Sequence, residues 1–182
     1  NTLLFAESLS MDKTFVGVSG GYTHLNVDQS DNSIILGNTL EEDGYNLLFQ
    51  AGYNYSDNVD ITLNYQRVIQ NDTYENNYFL GTEFKLGNMQ GVTPYTGAQL
   101  GYSLLKWTNK PIATTDNDFS SGSFLGGITL GARYQLIDAL ELNINYALNF
   151  KAHKTAIEDS SVTTELTHNT SHSLNAGVRY SF

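Results

Sequence analysis

Apolar and polar residues alternate along this chain with period 2, in stretches of about ten residues or more. The clearest stretch runs from 140 to 151. Leu140, Leu142, Ile144, Tyr146, Leu148 and Phe150 take one parity, and Glu141, Asn143, Asn145, Ala147, Asn149 and Lys151 take the other. Successive side chains of a strand point to opposite faces, so each such stretch has one apolar and one polar face, and no helical stripe fits it. The same alternation closes the chain, with Leu174, Ala176, Val178, Tyr180 and Phe182 on the apolar parity. It predicts eight strands, at about 14–26, 44–56, 59–70, 76–87, 92–106, 122–136, 139–152 and 170–182. Tight turns of Asn, Asp, Ser and Gly fall at 56–58, 87–91 and 137–138. Mostly long polar connections, 29–43, the shorter 71–75, 108–121 and 153–169, fall between them.

Two barrels of eight strands fit this pattern and assign its faces in opposite ways: a soluble lipocalin-like barrel with an apolar cavity, and a membrane barrel with a polar interior. The polar parity decides between them. It collects Gln50, Asn54, Thr62, Asn64, Gln99, Gln135, Asn143, Asn145 and Asn175, several charged residues, and the glycines Gly52, Gly81, Gly97, Gly101, Gly131 and Gly177. The apolar parity carries Leu47, Phe49, Tyr53, Leu63, Tyr65, Leu80, Phe84, Leu100, Tyr102, Ile128, Leu130 and Tyr134. That bulk overfills an eight-stranded lumen, which side chains barely fit. Facing lipid, it forms an apolar band with tyrosines at its edges. The sequence therefore predicts an all-β fold, an eight-stranded antiparallel up-and-down transmembrane β-barrel, with the short turns and both termini on the periplasmic side.

Composition sharpens this picture. Nine Lys and Arg against nineteen Asp and Glu, a net charge of −10, argue against a nucleic-acid surface. The absence of cysteine excludes disulfides and thiolate metal sites. Apolar runs such as FLGGI at 124–128 are far below the ~20 residues of a membrane helix. The opening NTLLFAES has a short apolar run and then a small residue, Ala6. Residues 1–12 are thus read as a signal-peptide remnant or N-terminal arm, and 13–182 as one barrel domain.

Eight strands, short turns opposite long loops, and a terminal Phe182 with Tyr180 and Val178 on its parity resemble the eight-stranded outer-membrane proteins, such as the OmpA transmembrane domain, OmpX and NspA. The resemblance covers about 13–182. It implies a bacterial outer-membrane location and contacts with outer-membrane lipid and lipopolysaccharide. It also implies that Val178, Tyr180 and Phe182 form a signal for the barrel-assembly machinery.

Three constellations are candidates for chemistry. Glu83, Lys85, Arg133, Glu141 and Arg179 share the inward parity near the short turns, where burial makes ion pairing nearly obligatory. His24, Arg67, Lys106 and His172 lie on the outward parity near the outer strand ends, placed for lipid phosphates or for snorkelling at the interface. His153, His168, His172 and His24 could approach one another at the outer mouth, although parity separates His153 from His172. No metal site or cofactor is expected. Loop acids such as Asp28, Asp31, Glu41, Glu42, Asp43, Asp116, Asp118, Glu158 and Asp159 lack calcium-loop spacing and read as solvated.

HSLNAG at 172–177 faintly resembles the His-x-Ser segment of lipid A deacylases. Here Ser173 directly follows His172, which puts base and nucleophile on opposite faces and removes the mechanism. No enzymatic activity is expected. The functional expectation is a monomeric structural and surface protein with a plugged polar interior and long extracellular loops, open to an outside partner. The alternatives are a narrow channel or small-ligand-binding barrel and, behind both, a lipid A-modifying enzyme.

Overall fold

The computed structural model describes residues 13–30, 41–71, 73–108, 120–159 and 162–182. Eight strands follow in order: β1 (Thr14–Ser30), β2 (Glu41–Ser56), β3 (Val59–Gln70), β4 (Thr73–Lys85), β5 (Val92–Trp107), β6 (Ser120–Ile137), β7 (Leu140–Asp159) and β8 (Val162–Ser181). Each pairs antiparallel with its neighbours in sequence, and β8 pairs with β1, so the sheet closes into a barrel with no free edge. Ser56 to Val59 and Ile137 to Leu140 are two-residue connections. The β4–β5 connection uses the left-handed region at Gly87, Gln90 and Gly91, with Asn88 accepting from the Gly91 amide. The predicted segment 1–12 and the loop acids Asp31, Asp116 and Asp118 lie outside the described residues.

The eight predicted strands are all present, but most run further than the alternation marked. The largest correction concerns 153–169, expected as a long polar loop. β7 instead continues to Asp159 and β8 begins at Val162, with Asp159 opposite Val162. The predicted connection 71–75 likewise shrinks, because Thr73, Tyr74 and Glu75 already belong to β4.

Exposure settles the orientation of the two faces. Leu100 is 75% and Phe124 85% exposed, whereas Thr62 is 2% and Asn175 1%. The apolar parity covers the outside and the polar parity lines the lumen, as predicted. Gln135, assigned inward by parity, is exposed at the rim, where the β6–β7 register shifts.

The lumen also holds apolar side chains that the pattern did not assign. Leu48, Phe79 and Leu125 form one buried cluster from β2, β4 and β6. Phe15, Leu25, Val68 and Leu105 are buried as well.

Close backbone approach explains one of the lumenal glycines at the closing seam. A Cβ on Gly177 would lie 2.1 Å from the Val18 carbonyl oxygen of β1. Gly177→Ala is therefore expected to cost about 1–3 kcal/mol, through a clash that backbone must relieve. A lower temperature for conversion of the folded to the unfolded gel band would register it.

Candidate functional site

Near the end where the short turns lie, charged side chains from β3, β4, β6, β7 and β8 converge inside the barrel. Asp60, fully buried, is their centre. Lys85 donates to its Oδ1 at 3.0 Å, while Arg133 and Arg179 donate to its Oδ2 at 2.9 and 3.0 Å. Arg133 also pairs with Glu83. Arg179 lies 3.8 Å from Glu83 and 3.4 Å from Glu141.

The five residues predicted for an interior ion network are thus brought together, but Asp60 was missed. It restores balance: Asp60, Glu83 and Glu141 face Lys85, Arg133 and Arg179, three acids against three bases. Neutrality matters here because an uncompensated buried charge is costly.

Further partners hold the network rigid. Asn54 accepts from Arg179 at 2.9 Å, and Gln50 donates to Glu83 at 3.1 Å. The Arg133 guanidinium stacks on Tyr95, 4.5 Å from the ring centroid, and Arg179 on Phe15. Tyr95 in turn donates to Asn143 at 2.9 Å. The turn-end mouth is a vestibule of about 390 Å³ whose walls include Lys13, Asp57 and Glu141.

Above the network lies a layer of amides. Asn175 donates to Asn145 at 2.9 Å, Gln50 to Asn64 at 3.1 Å, and Gln99 bonds Asn149. The cavity among them measures about 30 Å³. That is room for on the order of two waters.

A second charged group, also missed in the sequence, occupies the far half of the lumen. Glu75 of β4 pairs with Lys151 of β7, both buried. His153 bonds Ser103 at 2.8 Å, and His168 packs edge-on against Trp107 at 6.0 Å. Both histidines are fully buried and face each other across β7 and β8.

The proposed four-histidine constellation therefore divides. His153 and His168 are inside; His24 and His172 are outside, with ring centroids 6.4 Å apart. Among the described residues no three His, Asp or Glu side chains converge as a metal cage. Ser173 points inward to bond Thr23 at 2.8 Å, which separates it from His172 as parity required.

The four outward residues fall into two patches. Arg67 covers the Tyr74 ring at 4.8 Å, and Lys106 stands opposite Tyr74 on the neighbouring strand. His24 donates from Nδ1 to Asp43 Oδ1 at 2.8 Å, so a carboxylate already stands where a phosphate would bind. At the other end, Val178, Tyr180 and Phe182 face outward, and the Tyr180 and Phe182 rings meet edge to face at 5.3 Å.

A closed eight-stranded barrel with an apolar outer belt and an ion-paired polar lumen is a transmembrane β-barrel of the outer-membrane type. Comparison with known families gives the same answer in finer grain: the chain belongs to the outer membrane protein beta-barrel domain family, which matches residues 2–182. It is a bacterial outer-membrane protein. Among solved structures it resembles Neisserial surface protein A, with a TM-score of 0.63 and 20% identity over 92% of this chain and 97% of that one. OprG from Pseudomonas aeruginosa gives 0.59 and 13%, over 93% and 97%. The N-terminal barrel of OprF from the same organism gives 0.53 and 15%, over 93% and 98%. At these identities the likeness concerns the fold. No curated protein matches the chain in sequence.

Proposed function

We propose that this barrel is a non-conducting, non-enzymatic surface protein: a membrane anchor whose lumen is a plug and whose loop end, opposite the short turns, faces the cell exterior. The observation that carries this reading is the stacking of the lumen. A neutral ion layer, an amide layer, the Leu48–Phe79–Leu125 cluster and the Glu75–Lys151 pair follow one another along the axis. A water file would need a continuous path through all four, and the cavity in the amide layer is about 30 Å³. Recognition then belongs to the connections at 31–40 and 109–119, since function on such scaffolds is carried by loops. The aromatic end of β8 serves as the mark read by the barrel-assembly machinery, and Arg67 and Lys106 meet lipid or lipopolysaccharide phosphates.

Planar bilayers test the plug. The purified, detergent-folded chain is expected to give no discrete current steps above the bare membrane. Reproducible ohmic steps that disappear on heat denaturation would replace the plug with a narrow channel. Lipid A from expressing cells is expected to keep its acyl-chain mass, and a shifted mass would revive the enzyme reading.

A further inference from the structure

The seam where β1 meets β8 carries a histidine pair that the lumen and the loops leave unexplained. His24 and His172 are direct cross-strand partners on the outer face, with centroids 6.4 Å apart and planes at 45°. Each ring is already oriented through Nδ1, and from opposite flanks. Asp43 on β2 holds His24 at 2.8 Å, while the Tyr146 hydroxyl on β7 holds Nδ1 of His172. The Nε2 atoms are left without a hydrogen bond among the described residues. Nδ1 and Nε2 lie on opposite sides of an imidazole, so rings gripped from β2 and β7 leave both Nε2 atoms toward the shared seam.

We propose that His24 and His172 chelate a borderline divalent transition metal of the Zn²⁺ kind through their Nε2 atoms, stapling the first strand of the barrel to the last. Imidazole nitrogen is the ligand type such ions prefer over hard cations. A carboxylate on the far nitrogen of a metal-bound histidine is the usual supporting contact, fixing the tautomer and ring orientation, and Asp43 is in that position. A tetrahedral Zn²⁺ with nitrogens at about 2.1 Å sets ring centroids roughly 5–6 Å apart, so the observed pair needs only a small closure. The site is accessible, with His24 33% exposed. Two protein ligands leave open positions, which water or a lipid phosphate oxygen fills. Asp43, His24 and His172 thereby form a row across β2, β1 and β8, centred on the closing seam, and Tyr146 of β7 reaches His172 from the diagonal position.

The test is calorimetric titration of the full detergent-folded chain with ZnCl₂, with MgCl₂ as the hard-cation control, together with the thermal midpoint of the heat-modifiable band. The wild-type chain is expected to bind one Zn²⁺, to ignore Mg²⁺ at the same concentration, and to gain several degrees in midpoint by linkage. His24→Gln and His172→Gln, both surface changes that leave the fold intact, each abolish the gain. Asp43→Asn weakens Zn²⁺ binding about tenfold while retaining the site. Absence of Zn²⁺ binding, stoichiometric binding that survives both histidine variants, or an equal response to Mg²⁺ would each overturn the assignment.

Discussion

Asp60→Asn should destabilise the folded barrel by about 3–5 kcal/mol, the range expected when one member of a buried ion network is removed. Its carboxylate receives Lys85, Arg133 and Arg179 together. An amide of the same shape fills the same space but leaves three cations facing two acids. Urea titration of the protein in phospholipid vesicles, followed by tryptophan fluorescence, reads the loss as a lower midpoint at constant slope. An unchanged midpoint would mean that water, rather than Asp60, neutralises the three bases. Glu141→Ala is the internal contrast. Glu141 keeps 24% side-chain exposure and reaches Arg179 at 3.4 Å, and Arg179 retains Asp60 and Asn54 without it, so its loss should cost less than that of Asp60.

The second large effect concerns the pair in the far half of the lumen. Glu75→Gln and Lys151→Met, made singly, are each expected to cost about 3–5 kcal/mol, because either leaves a buried charge alone. Made together they should recover much of that loss, since no charge then remains to be solvated. A cycle of the four proteins in the same urea assay measures the coupling. Strictly additive losses would show that Lys151 and Glu75 are each satisfied by something other than one another.

Much of this arrangement was legible from parity. Lys85, Arg133, Arg179, Glu83 and Glu141 all lie on the inward parity, close to predicted short turns, which fixes both face and depth. Asp60 carried the same parity as Thr62 and Asn64 but stands two residues past the Ser56–Asp57–Asn58 turn, where an acid reads as turn chemistry. Glu75 was hidden in the same way by the polar run 71–75. The histidines were obscured by a different cause. A strand reads as alternating only where one face must be apolar, and the outer parts of β7 and β8 are polar on both parities. With no lipid to satisfy, a strand loses its signature and looks like a loop. The apolar lumenal residues were lost inside runs such as Leu47–Leu48–Phe49 and Tyr78–Phe79–Leu80, where three consecutive apolar residues erase the contrast between the faces. The outward histidine pair was visible as two residues; its supporting Asp43 and Tyr146 required the register.

The Asp60 network joins residues 73 and 119 positions apart in the chain. No hairpin contains it, and Arg179 reaches Asp60 only once the last strand has arrived. Interactions of that kind are absent from early folding events, so their strength bears on the rate of leaving the native state rather than the rate of reaching it. The ion layer thus acts as a latch in time: a half-inserted barrel remains free to slip and re-pair, and a finished one is slow to come apart.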